Sequence, residues 1–129
     1  MKIFIVDHSA ILRRLLVECL GVLEGVEVVG QAGGASEALD AIRSLRPNVV
    51  TMDIMTPDGV SIDLLTSIKK ENLAPIVVVL TNLTSPPYRK RCIGAGADFF
   101  IDKAVGINEV KRIIEGLTPR FAKNVTPPE

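Results

Sequence analysis

The chain has 129 residues, and its fifteen Lys/Arg balance fifteen Asp/Glu; apolar residues make up 47% and aromatics only 4%. That length fits one domain with a core of Val, Ile, Leu and Ala. A neutral chain has no general attraction for nucleic acid or anionic lipid, and Arg89-Lys90-Arg91, the longest basic run, is too short to reverse this. No apolar run approaches the ~18 residues of a membrane span, and MKIFIVDHS is too short for a signal segment. The expectation is therefore cytoplasmic, with no membrane partner.

Two periodicities alternate along the chain. Lys2 to Val6 (KIFIV) is a continuous apolar run rich in β-branched residues, read as a buried strand. Leu12, Leu15, Leu16 and Cys19 follow at helical spacing, with Ser9 placed to cap that helix. Val26 to Val29 read as a second strand. Ala35, Ala38, Leu39, Ile42 and Leu45 repeat the helical stripe, and Pro47 lies just beyond its end. Asn48 to Met52 form the third strand, Pro57 to Gly59 a turn, and Ile62 to Lys70 a helix. Ile76 to Leu80 (IVVVL) is the most strand-like run. Pro86 and Pro87 can open a fourth helix, since proline is tolerated in a first turn. Phe99 to Ile101 give a fifth strand, and Ile107, Val110, Ile113, Ile114 and Leu117 a last helix.

Strict β/α alternation implies a parallel sheet covered by helices on both faces, with right-handed crossovers. Residues 1–118 are read as one domain and 119–129 as a short polar tail, too small for an effector domain. Cys19 and Cys92 lack CxxC spacing and are read as helix cysteines, not a metal or redox pair. Gly94-Ala95-Gly96 precedes a strand, so it fails the context of a dinucleotide-binding loop.

Four polar residues stand at or just past strand ends: Asp7 after IFIV, Asp53 after VVTM, Thr81 after VVVL and Lys103 after FFI. In an open parallel sheet these ends share one edge, where ligands bind. Strand-end polarity alone would explain one of them; two carboxylates, a hydroxyl and an ammonium together suggest a reaction. A carboxylate can attack phosphorus and form an acyl phosphate. The transferred group is anionic and needs countercharge, which a divalent cation such as Mg²⁺ and Lys103 would supply. The Thr81 hydroxyl can donate to a phosphoryl oxygen.

With these residues in order, the chain resembles the receiver domains of two-component response regulators, here of the stand-alone kind. The carrying segments are IFIVDHSAILRR, VVTMDIMTPDG, VVVLTN and GADFFIDKA, and the resemblance spans about residues 2 to 117. It implies a flavodoxin-like (βα)5 fold of strand order 2-1-3-4-5. It makes Asp53 the phospho-acceptor, Thr81 the switch hydroxyl, Lys103 the essential lysine and Phe100 the aromatic switch. It places metal ligands at Asp7, Asp53 and the backbone carbonyl of Met55. The implied partners are a sensor histidine kinase or histidine phosphotransfer protein and a downstream output protein; the oligomeric state stays open. The implied role is that of a phospho-acceptor assisting its own phosphoryl transfer and loss, with no separate enzymatic activity. The implied signal is a change in the face made by the fourth helix, fifth strand and fifth helix.

The sequence departs from the family pattern in several places. His8 stands where a second metal-site acid is usual, and imidazole suits transition metals better than hard Mg²⁺. This implies weakened Mg²⁺ binding or a preference for Mn²⁺. Phe100 lacks the hydroxyl of the more frequent tyrosine, and Ala104 follows Lys103 where proline is common. The loop after Asp53 reads TPDGVS, with Asp58 read as turn chemistry. Two rivals remain. One is a phosphorylation-independent interaction module on the same fold, favoured by His8. The other is a small flavodoxin-like phosphatase or flavin carrier, disfavoured by the lack of a cysteine loop after the first strand and by the few aromatics.

Overall fold

The computed structural model describes residues 1–57, 59–71, 73 and 75–121; Asp58 and residues 122–129 of the expected tail lie outside the described residues. The elements in chain order are β1 (Lys2–Val6), α1 (Ala10–Gly21), β2 (Glu27–Ala32), α2 (Ala35–Leu45) and β3 (Val49–Met52). A short hairpin follows, Met55–Thr56 against Gly59–Val60, then α3 (Asp63–Lys70), β4 (Ile76–Thr81), α4 (Pro86–Gly94), β5 (Phe99–Asp102) and α5 (Ile107–Leu117). Thr118–Phe121 add one 3-10 turn. The five long strands form one parallel sheet of order β2-β1-β3-β4-β5, the order that the family resemblance implies.

Strand alternation divides the core in two. Phe4, Val6, Val50, Met52, Val77 and Val79 point to one side and meet Ala38 and Ile42 of α2, Leu64, Leu65 and Ile68 of α3, and Cys92 of α4. Ile3, Ile5, Val49, Val78, Leu80 and Ile101 point to the other and meet Leu16 and Leu20 of α1 and Val110, Ile114 and Leu117 of α5. The central strands are apolar on both faces because both faces are covered. Each fully buried Ile, Leu or Val contributes about 1.5–3 kcal/mol to this packing.

Several local expectations shift. The strand expected over Val26–Val29 runs instead over Glu27–Ala32. Gly30 and Gln31 carry no strand propensity; pairing with β1 recruits them. The β1–β2 register slips where Ile3 pairs with Val28 but Phe4 with Gly30. A β-carbon on Gly30 would come within 2.8 Å of the buried Phe4 ring, so the residue at this bulge is the one without a side chain. In α1 the Ser9 hydroxyl accepts from the Leu12 N–H at 3.2 Å as expected of a cap, but Leu15 is 42% exposed and Leu20 carries the buried stripe onward. Ile62 is the N-cap of α3, which begins at Asp63. The expected Pro57–Gly59 turn falls partly on Asp58, outside the described residues; on either side of it the Thr56 hydroxyl donates to the Gly59 carbonyl at 2.8 Å, with Gly59 at φ +113°. Cys92 is buried and Cys19 half-buried, and both are free thiols. Among the described residues no helix is long and apolar enough to cross a membrane.

Candidate functional site

The carboxyl ends of β1, β3 and β5 deliver Asp7, Asp53 and Lys103 to one edge. Each is held by main-chain bonds that extend the sheet by a residue. The Asp7 N–H donates to the Ala32 carbonyl at 3.0 Å, the Asp53 N–H to the Val6 carbonyl at 3.1 Å, and the Lys103 N–H to the Thr81 carbonyl at 3.0 Å. The Lys103 ammonium lies 2.6 Å from Asp53 Oδ2 and 2.9 Å from Asp7 Oδ2. Both carboxyl side chains are 2% exposed and the lysine 14%. The remaining oxygens are also engaged. Asp7 Oδ1 accepts from the Ser9 N–H at 2.8 Å, and Asp53 Oδ1 from the Met55 N–H at 2.9 Å.

Electrostatics follow from this placement. Burial alone would lower the Lys103 pKa, but hydrogen bonds to Asp53 and Asp7 outweigh it, and the ammonium is held above its ordinary value. One ammonium against two carboxylates still leaves the cluster one charge negative, which suits a further cation.

The other expected residues take distinct places. Thr81 is fully buried at the end of β4, and its hydroxyl accepts from the Leu83 N–H at 3.1 Å, outside the ion cluster. Phe100 is half-buried on β5, with the Arg89 guanidinium of α4 lying 5.5 Å over its ring. Met55 lines the cleft beside Asp7, His8 and Asp53. His8 projects its Nδ1 to 3.9 Å from Asp7 Oδ1 and 4.0 Å from Asp53 Oδ2. The Lys103–Ala104 bond is trans, as no cis peptide occurs among the described residues.

A divalent cation fits this donor set in part. Asp7, His8 and Asp53 each offer one ligand atom, all within 4.8 Å of one another. The carboxylate oxygens suit hard Mg²⁺, whereas the imidazole nitrogen does not.

Two contacts at the site escaped sequence reasoning. Arg13 of α1 donates to the Asp7 carbonyl at 2.6 Å and to the Gln31 side chain at 3.1 Å, tying the acid-bearing segment to β2. Arg89 lies over Phe100. Neither leaves a local signal, because one partner is a main-chain carbonyl and the other a ring face from a distant strand.

Comparison with known proteins converges on one family. Residues 3–115 match the response regulator receiver domain. The DNA-binding transcriptional activator DevR/DosR of Mycobacterium tuberculosis is 32% identical over 115 residues, covering 89% of this chain and 53% of that protein. A protein-glutamate methylesterase/protein-glutamine glutaminase of Methanospirillum hungatei is 33% identical, covering 88% of this chain and 34% of that protein. The chain thus spans about half or less of the length of these relatives. Among solved structures, the response regulator domain of Thermotoga maritima CheB matches with a TM-score of 0.80 and 30% identity over 98% of both chains.

Proposed function

The chain belongs to the response regulator receiver domain family, and from that premise we propose that it accepts a phosphoryl group on Asp53 and signals by changing its α4–β5–α5 surface. The observation that carries this is the Lys103 ammonium bridging Asp53 and Asp7 at 2.6 and 2.9 Å on the ligand-binding edge of the sheet. An Asp53 carboxylate oxygen attacks phosphorus, the O–P bond forms as the donor's P–N bond breaks, and the electron pair leaves with the donor imidazole nitrogen. Lys103 then exchanges part of its carboxylate contact for a phosphoryl oxygen. Asp7, Asp53 and the Met55 carbonyl would hold a divalent cation, which supplies countercharge to the anionic group. His8 in place of an acid weakens Mg²⁺ there and shifts preference toward Mn²⁺.

The donor is a phosphohistidine of a sensor kinase or phosphotransfer protein in the cytoplasm. The signal passes through protein contacts of the α4–β5–α5 face, since the balanced charge of these 129 residues does not favour direct nucleic-acid contact by them. The Thr81 hydroxyl leaves the Leu83 N–H for the new oxygens, and Phe100 turns into the space vacated, a shift between two populations.

Acetyl phosphate with Mg²⁺ or Mn²⁺, followed by intact mass, tests the reading. One labile phosphoryl addition, lost in Asp53→Ala, is the expected result. No addition with either ion, or an addition that survives Asp53→Ala, overturns it. A second reading has one specific support: His8 at the metal edge favours a phosphorylation-independent interaction module, and the absence of labelling would select it.

A further inference from the structure

The carboxyl end of β2 supplies no member of the ion cluster, yet the Asp7 main chain is fastened to it on both sides. The Asp7 N–H donates to the Ala32 carbonyl at 3.0 Å. The Asp7 carbonyl accepts from Arg13 Nη1 at 2.6 Å, and Arg13 Nε donates to Gln31 Oε1 at 3.1 Å. Both arginine bonds leave one rigid planar group, so the guanidinium sets the spacing between Asp7 and β2. Its charge also makes the bond to the carbonyl stronger than one from a neutral donor.

Gly33 completes the clamp. A β-carbon there would come within 3.0 Å of Arg13 Nη1 and 3.9 Å of the Asp7 carbonyl oxygen. The guanidinium thus lies in space that any side chain at position 33 would enter.

The clamp controls the direction of the Asp7 side chain. With the main chain held, Oδ2 meets the Lys103 ammonium at 2.9 Å and Oδ1 accepts from the Ser9 N–H at 2.8 Å. A shift of the Asp7 backbone would pass to Lys103 and, through its 2.6 Å contact, to Asp53. Misplacing reacting groups by about 1 Å can cost ~100-fold in rate.

We infer that Arg13 is a positioning residue: braced by Gln31 and given room by Gly33, it aims Asp7 and thereby sets the Lys103 ammonium against Asp53. The effect on phosphoryl transfer rests on the proposed phospho-acceptor role of Asp53; the coupling of Arg13 to Lys103 through Asp7 does not.

Two measurements on the full chain test this. The first is a double-mutant cycle in urea denaturation with Arg13→Gln and Lys103→Met. The two side chains share no hydrogen bond or ion pair among the described residues, so independent roles would add. The expected result is that the double variant loses less stability than the two single variants together, because Arg13→Gln has already loosened the Lys103 contact. Strict additivity overturns the inference.

The second is the rate of labelling by acetyl phosphate at saturating Mg²⁺ or Mn²⁺. Arg13→Gln should slow it by about 10-fold or more, and Arg13→Lys, which keeps the charge but not the fork, by less. Gly33→Ala presses only on the flexible end of Arg13. It should slow labelling several-fold with little change in urea midpoint, a split that a purely structural role does not produce. Native labelling rates in both Arg13→Gln and Gly33→Ala overturn the inference while leaving Asp53 as the acceptor. A coupled cycle in a chain that no ion allows to be labelled upholds the placement of Lys103 by Arg13 and overturns the phospho-acceptor reading instead.

Discussion

Lys103 and Asp53 lie fifty residues apart in the chain, yet their charged atoms meet at 2.6 Å, with Asp7 completing the triangle at 2.9 Å from the same ammonium. Removing different members of this triangle has opposite effects on charge. Lys103→Met leaves two buried carboxylates facing each other, whereas Asp53→Asn leaves one matched pair. Loss of the lysine should therefore cost about 2–4 kcal/mol, and Asp53→Asn less than about 1 kcal/mol, in urea denaturation. Equal destabilisation by both would mean the ammonium is not what compensates the acids.

The same contact sets a pH dependence. The folded-state pKa of Lys103 is raised by its bonds to Asp53 and Asp7. A raised pKa means the stabilisation is fully present below the unfolded value of about 10.4 and is lost as pH rises through the folded value. The stability gap between the native chain and Lys103→Met should be constant from neutral pH to about 10 and shrink above it. Urea midpoints at pH 8 and pH 11 check this, and a gap that persists at the higher pH would assign it to packing.

Arg89 lies 5.5 Å over the Phe100 ring and ties α4 to β5. An exposed contact of this kind is worth about 0.5–1 kcal/mol. If inward rotation of Phe100 accompanies activation, Arg89→Ala removes a restraint on the outward ring. Beryllofluoride should then bind about 2- to 5-fold more tightly. Unchanged affinity would separate Phe100 from the switch.

Thr51 carries the one buried side-chain oxygen without a hydrogen-bond partner among the described residues. It sits in β3, flanked by Val50 and Met52, and is 1% exposed. An unpaired buried hydroxyl costs about 1–3 kcal/mol, and valine has nearly the same shape. Thr51→Val should raise stability by about 1 kcal/mol, read as a higher urea midpoint at unchanged slope. A loss of stability would show that the hydroxyl does have a partner in solution.

Much of this protein is legible in one dimension. Apolar runs such as IFIV and IVVVL can only be strands buried on both faces, and the stripes from Ala35 to Leu45 and from Ile107 to Leu117 appear as helices over those same bounds. Strand-end positions alone brought Asp7, Asp53 and Lys103 under suspicion, because parallel topology sends every strand end to a shared edge. What resisted reading was whatever depends on a remote partner. β2 extends through Gly30 and Gln31 because β1 pairs with them, and Leu15 faces solvent although its spacing fits the buried stripe.

The sequence by itself determined the element order, the sheet and the chemical types at its edge, because periodicity and residue chemistry act over a few neighbours. Only the tertiary structure decided that Lys103 bridges both acids, that the Thr81 hydroxyl is occupied by Leu83, that Arg89 caps Phe100, and that the His8 ring turns toward the carboxylates. Those are relations of distance and direction between segments far apart in the chain, and electrostatic and hydrogen-bond energies depend on just these quantities.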